Sequence, residues 1–245
     1  MTRLSVNLNK IALLRNSRES GLPSVTRAAM ISIAAGAGGI TVHPRPDERH
    51  IRPGDVRDLS RLLEGYPDLE FNIEGNPFHT LMKIALDIVP DQCTLVPDEA
   101  GALTSSFGWS LPARAAELEP MVRTLKDAGI RVSLFMDPDP ASMRFARELG
   151  ADRIELYTEA YARNPEDPEV LAQFVESAQA ARVAGLGVNA GHDLNLANVG
   201  RFVAAAVPVD EVSIGHALIG DALEMGLDAA VRAYVAALSA GKGGA

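Results

Sequence analysis

The 245-residue chain has a single cysteine, Cys93. One thiol cannot form an intrachain disulfide or a Cys-x-x-Cys metal motif. Its setting, Gln-Cys-Thr-Leu-Val, is that of a small buried residue. Positive charge is also scarce: 23 Lys and Arg stand against 32 Asp and Glu, a formal net charge of −9. Nucleic acids and anionic membranes need a basic face, so neither fits as a partner. An anionic small molecule remains compatible if its cationic ligands are clustered locally. No apolar run is long enough to span a bilayer. The N-terminal Met-Thr-Arg-Leu-Ser-Val lacks the apolar core of a signal peptide, so the expected location is the cytoplasm. There is no His-x-His or His-Glu-x-x-His pair, and the scattered histidines give no metal motif.

What is present is an alternation. Short apolar, β-branched runs at 4–8, 39–43, 69–73, 93–96, 131–136, 153–157, 187–190 and 212–215 predict eight strands. Helix-like segments follow them at 24–35, 55–64, 77–88, 118–128, 140–149, 168–184, 195–206 and 219–238. Asn76-Pro77, Asp139-Pro140 and Asp167-Pro168 read as a cap residue followed by proline in the first helical turn. Glycines 129, 150 and 185 stand just past helices. Eight such units predict parallel strands with crossover helices, and a single (β/α)₈ barrel spanning 1–245. The competing architecture is an open doubly wound sheet. It is disfavoured because no Gly-x-Gly-x-x-Gly follows the first strand. The glycine-rich tail 239–245 is expected to be frayed. The longest irregular stretch, 97–112, reads as a lid, and the only tryptophan, Trp109, lies in it.

In such a barrel the C-terminal strand ends gather on one face, where the chemistry sits. Three of five histidines fall at strand ends: His43, His192 and His216. The other polar residues at or near these ends are Asn7, Asn9, Lys10, Arg45, Thr104, Asp137, Glu155, Thr158, Asn189, Asp193 and Ser213. Glu70 lies near the start of the third strand. Any one of these is equally a hydrogen-bonded structural residue; together they read as acid–base machinery. Small residues in Asn-Ala-Gly-His (189–192) and Ile-Gly-His-Ala (214–217) suit phosphate binding after strands seven and eight, or simply tight turns. The run His43-Pro-Arg45-Pro-Asp-Glu-Arg49-His50-Ile-Arg52 is the local basic cluster an anionic substrate requires, although Asp47 and Glu48 could instead pair its arginines. Arg15-Asn-Ser-Arg18 is a smaller cluster beyond strand one. His79 reads as structural or surface.

Several segments, in order, resemble the pyridoxine 5′-phosphate synthase family over nearly the whole chain. They are Val-Asn-Leu-Asn-Lys-Ile-Ala-Leu-Leu-Arg-Asn-Ser-Arg, Gly-Ile-Thr-Val-His-Pro-Arg-Pro-Asp-Glu-Arg-His-Ile, Asp-Leu-Glu at 68–70, Leu-Val-Pro at 95–97, Val-Ser-Leu-Phe from 132, Val-Asn-Ala-Gly-His from 188 and Ile-Gly-His-Ala from 214. The resemblance implies a (β/α)₈ barrel that assembles as a homo-octamer. It implies condensation of 1-deoxy-D-xylulose 5-phosphate with 3-amino-2-oxopropyl phosphate, with no metal or organic cofactor. It assigns proton acceptance to His43 and Glu70, proton donation to His192 and transition-state stabilisation to Glu155. Asn7, Arg18, Asp193, Gly215 and His216 match contacts to the amino-ketone phosphate, and Arg45, His50 and Thr104 match contacts to the deoxyxylulose phosphate. Three departures stand out. Many members carry Asp-His where this chain has Asn9-Lys10, a pair that contacts deoxyxylulose phosphate. Asp193 often is glycine, and Leu-Tyr-Thr-Glu after Glu155 differs from the commoner pattern. Competing readings are a phosphosugar isomerase or aldolase on the same fold, with Lys10 as the one strand-end lysine, and a phosphometabolite sensor.

Overall fold

A computed structural model describes residues 1–99, 101–102, 104–206 and 208–240. Eight parallel strands close into a barrel in sequence order. They are β1 (Arg3–Asn7), β2 (Gly39–Val42), β3 (Glu70–Gly75), β4 (Gln92–Leu95), β5 (Arg131–Met136), β6 (Arg153–Tyr157), β7 (Gly187–Gly191) and β8 (Glu211–Ile214). β1 pairs with both β2 and β8, which closes the ring. All eight predicted strands are present; those at 131–136 and 153–157 match at both ends, and the others have ends shifted by one or two residues. Two shifts matter: β3 continues through Glu74 to Gly75, and β8 begins at Glu211.

Strand side chains alternate between the two faces of the barrel wall. Leu4, Val6, Ile40, Val42, Phe71, Ile73, Cys93, Leu95, Val132, Leu134, Ile154, Leu156, Val188, Val212 and Ile214 are all buried in one apolar core with the helix faces. The opposite parity points into the lumen, where Val, Ile and Leu are the usual filling. Here the lumen is polar. Ser5 and Thr41 share a hydrogen bond of 2.7 Å, Asn72 donates to Thr41 at 3.3 Å, and Thr94 donates to Asn72 at 3.0 Å. Below this belt, at the N-terminal end, Arg131 and Arg153 donate to Glu70 at 2.6 and 3.2 Å. Glu211 is buried there too, its carboxyl pushed up to about 8 by burial and by the charge of Glu70. Among the described residues, Val96, Phe135 and Tyr157 form an apolar patch apart from the main core.

The helices follow the predicted order with three differences. Two short ones escape the apolar periodicity: Asn9–Asn16, directly after β1, and Glu159–Arg163, directly after β6. The predicted helix 219–238 is two helices, His216–Met225 and Leu227–Ala240, divided at Gly226 with φ +86°. Residues 239 and 240 close the second of these, whereas the rest of the expected frayed tail lies outside the described residues. Asp139 and Asp167 accept backbone N–H groups at the starts of their helices, as predicted, and Ser24 does the same. The Asn76-Pro77 reading fails, because that helix starts only at Leu81. Trp109 does not belong to a lid over the mouth. It is buried, donates from its indole Nε1 to the Leu95 carbonyl at 2.8 Å, and so anchors the end of the β4–β5 connection. Among the described residues no helix is long and apolar enough to cross a membrane.

The Glu70 cluster is a floor for the lumen. Removing its carboxylate leaves buried guanidinium charge without its counterion, although Arg3 and Arg131 retain partial solvent access. Glu70→Ala is expected to lower unfolding free energy by about 3 kcal/mol, toward the lower end for a broken buried ion pair. Urea denaturation followed by circular dichroism measures it.

Candidate active site

At the C-terminal end of the barrel the lumen opens into a cavity of about 650 Å³. Asn7, Asn9, Lys10, His43, Arg45, His50, Thr104, Glu155, His192, Asp193, Gly215 and His216 all line it. Thus twelve residues singled out in the sequence, from distant segments, converge at one mouth. Two do not. Arg18 is exposed beyond the first helix and is not among the lining residues. Glu70 is the first residue of β3, four residues and roughly 13 Å along the strand below Glu74, and its carboxylate is engaged by the arginines of the floor. The carboxylate that β3 brings to the mouth is Glu74, two pleats further on.

Each strand end places its side chains through identifiable bonds. Asn7 accepts from the Asn9 backbone N–H at 2.9 Å, which starts the Asn9–Asn16 helix, and donates to Glu74 Oε1 at 3.1 Å. Asn9 in turn accepts from the His43 backbone N–H at 2.9 Å, locking the β2 end to β1. The loop after β2 is pinned from outside: Asn16 donates to the His50 carbonyl at 2.8 Å, and Arg15 is held by Asp55. Within that loop Arg45 forms a buried ion pair with Asp98 and donates to the Ala102 carbonyl at 2.9 Å. Arg49 pairs with Asp47 at 2.6 Å. Of the arginines considered for clamping an anion, one is therefore tied to the β4 loop and the other partly neutralised.

Three histidines behave differently from one another. His43 is buried between two carboxylates, with Nδ1 3.7 Å from Glu74 Oε1 and Nε2 3.8 Å from Asp98 Oδ2. Its pKa is held well below the ordinary value, first by burial and then by Arg45, His50 and Arg49. His50, whose Nδ1 accepts from the Ile51 N–H at 2.9 Å, is pushed down to about 4 by burial, Arg45 and Lys10. His192 occupies a left-handed backbone conformation, φ +80°, as does Asp193, φ +58°. Its Nδ1 meets Asp193 Oδ2 at 2.9 Å and its Nε2 meets Thr104 Oγ1 at 2.8 Å. A carboxylate only accepts, so Nδ1 carries a proton and Nε2 is turned toward Thr104. The Tyr157 ring packs edge-on against this imidazole, 5.0 Å between centroids.

Glu155 projects inward from β6 and is buried. Burial, then the charges of Glu74 and Glu211, raise its pKa well above the carboxylate range. Its place is made by Gly191: a Cβ there would stand 2.2 Å from Glu155 Oε1. Gly215 plays a comparable part on β8, where a Cβ would approach Asn7 within 3.1 Å. The helix that starts at His216 points its first turn at the cavity, a geometry that favours an anion.

The family model described as "Pyridoxal phosphate biosynthesis protein PdxJ" matches residues 4–240. The chain belongs to the PdxJ family. A pyridoxine 5′-phosphate synthase from Albidiferax ferrireducens is 55% identical over 98% of this chain and 99% of that protein. Those of Xanthomonas axonopodis pv. citri and Bacteroides thetaiotaomicron are 52% and 50% identical, covering 98% and 96% of this chain and 98% of each relative. Among solved structures, one from Aquifex aeolicus VF5 has a TM-score of 0.65 at 14% identity, covering 97% of this chain and 93% of that one. The Amycolatopsis orientalis BexX/CysO complex gives 0.60 at 19%, covering 100% and 93%. These two likenesses concern the fold alone.

Sequence reasoning missed Glu74 and Asp98. Glu74 had a signal: Glu70, Asn72 and Glu74 alternate with Phe71, Ile73 and Gly75, a period of two that extends the strand past residue 73. Asp98 had none, because its role depends on Arg45 arriving from a different loop. Among the described residues no group of three His, Cys, Asp or Glu is arranged to hold a metal ion.

His43 and His50 are neutral at pH 7 by this account. Both folded-state pKa values lie below the unfolded value near 6.5, so the unfolded chain takes up protons first as pH falls. The stability tied to their neutral forms is complete above pH 6.5 and is lost as pH falls toward 4. Imidazole ¹⁵N chemical shifts recorded from pH 7.5 to 4.5 are expected to keep both rings neutral at pH 6.

Proposed function

We propose that the chain is a pyridoxine 5′-phosphate synthase. It condenses 1-deoxy-D-xylulose 5-phosphate with 3-amino-2-oxopropyl phosphate, giving pyridoxine 5′-phosphate, inorganic phosphate and water. The observation that carries this reading is the meeting of His43, Glu155 and His192 with Lys10, His50, Gly215 and His216 around one cavity. A volume of about 650 Å³ is in the range used for small-molecule sites and is large enough for two small substrates.

The amino-ketone phosphate is assigned to the β7–β8 edge, with Gly215, His216, Asn7 and the backbone at Asp193. The deoxyxylulose phosphate is assigned to the neighbouring β1–β2 side and the β4 loop, with Asn9, Lys10, Arg45, His50 and Thr104. Lys10 supplies the mobile cation there, because Arg45 is already paired with Asp98. Arg18 reaches a phosphate only from the rim. An amine attacks a ketone to form an imine and release water. Carbon-bound protons then leave, phosphate departs and the aromatic ring closes. Neutral His43 is suited to accept a proton. Protonated Glu155 donates hydrogen bonds to oxygen as charge develops, and His192, oriented by Asp193, delivers a proton to a departing hydroxyl. These are proton transfers and eliminations, which the side chains serve without a metal or organic cofactor. Glu70, held in the floor, is assigned support of the lumen.

The assembly is proposed to be a homo-octamer in the cytoplasm. Exposed Leu13, Leu14, Leu22 and Met30 on the first two helices and their connection offer apolar area for self-association.

Purified chain supplied with both substrates is expected to yield pyridoxine 5′-phosphate, identified by mass and absorbance. His192→Gln is expected to lower kcat by about 100-fold or more with little change in KM, as for loss of a general acid. Phosphate release without the ring product contradicts the reading.

A further inference from the structure

We propose that Glu74 is a catalytic carboxylate of this chain, the base that takes a carbon-bound proton from the imine formed in the cavity. The inference rests on the reaction proposed above and goes beyond the roles assigned there.

Placement carries the argument. Glu74 stands at the last inward position of β3 and lines the cavity, with its side chain 14% exposed. It therefore meets both the solvent-facing opening and the enclosed lumen. Asn7 donates to Oε1 at 3.1 Å and fixes the carboxylate plane from β1. His43 Nδ1 lies 3.7 Å away from β2, close enough to exchange a hydrogen bond after a small ring rotation. The carboxylate assigned as acceptor by resemblance, Glu70, sits about 13 Å lower and is occupied by arginines, so it reaches no substrate at the mouth.

The electrostatics agree with the geometry. Glu74 faces His43 and Arg45 from the β2 end, Asp98 from the β4 loop, Glu155 from β6, and Asn7 and Asn9 from the first strand and helix. Burial and the charge of Asp98 raise it, Asn7 and Arg45 lower it, and the balance stands at about 7. Glu155 is likewise raised well above the carboxylate range, by burial and then by the charges of Glu74 and Glu211. The two carboxyls on one cavity differ in their surroundings: Glu74 has Asn7 and Arg45 to favour its ionised form, whereas Glu155 has only burial and carboxylate neighbours, which favour the protonated form. In the step, the imine nitrogen already carries a proton from the condensing amine. The adjacent C–H bond breaks, its electron pair forms the C=C bond, and the C=N π pair passes to nitrogen, giving a neutral enamine. The proton forms an O–H bond on Glu74. It leaves later to solvent through the mouth or to His43.

The test compares full-length wild type, Glu74→Gln and Glu74→Asp in the two-substrate assay across pH 5.5–9. Wild-type kcat is expected to rise with pH through an apparent pKa near 7. Glu74→Gln, folded by circular dichroism, is expected to lose about 100-fold or more in kcat and to lose that acid limb, with KM changed less than about threefold. Glu74→Asp is expected to keep the limb at reduced kcat. A folded Glu74→Gln that keeps the limb and kcat within about threefold of wild type overturns the proposal. If Glu74→Gln does not fold, Glu74→Asp decides: unaltered kcat and limb overturn it, and reduced kcat with the limb retained supports it. Absence of product from wild type itself instead refutes the proposed reaction, so the two failures are distinct.

Discussion

Everything in this molecule follows from the two-residue period of eight closed strands. Closure leaves no free sheet edge, and alternation sends one side chain in two into a lumen only the barrel can enclose. The outward set is apolar and packs on the helices. The inward set is polar at almost every level, so the lumen is stabilised by pairing and not by apolar filling. Glu70 with its arginines closes the bottom, the Ser5–Thr41–Asn72–Thr94 chain spans the middle, and Asn7, Glu74, Glu155 and His43 emerge at the top.

This constraint gives the site its electrostatic character. Groups at the mouth cannot retreat into solvent, and burial shifts each toward its neutral form. His43 becomes a neutral base although two carboxylates flank it, because the arginine side of the cavity and desolvation outweigh them. Glu155 is pushed toward its neutral form by the same effect of burial, reinforced by its carboxylate neighbours. Thus an acidic protein places Lys10 and the start of the His216 helix on the same cavity as its own buried carboxyls.

Much of this was legible in the residues. The eight strands, the barrel and twelve of the cavity-lining residues follow from apolar runs, their polar ends and motif resemblance. What failed did so for physical reasons. Trp109 looks like a lid residue in an irregular segment, yet tertiary contacts with β4 bury it. The Asn9–Asn16 helix carries little apolar periodicity, since its start is fixed by the Asn7 side chain rather than by a hydrophobic stripe. Glu70 and Glu74 share a face, and only the true end of β3 decides which reaches the mouth. Asp98 required a partner from another loop.

The central claim is that the substrates meet at the top of a polar lumen, between His43, Glu74, Glu155 and His192. A crystal structure of the chain soaked with 3-amino-2-oxopropyl phosphate tests it most directly. The account predicts the phosphate at the first turn of the His216 helix and the amino-ketone carbons within about 4 Å of those four side chains. A ligand bound away from this mouth, or with its reacting carbons against the Glu70 floor, would contradict it.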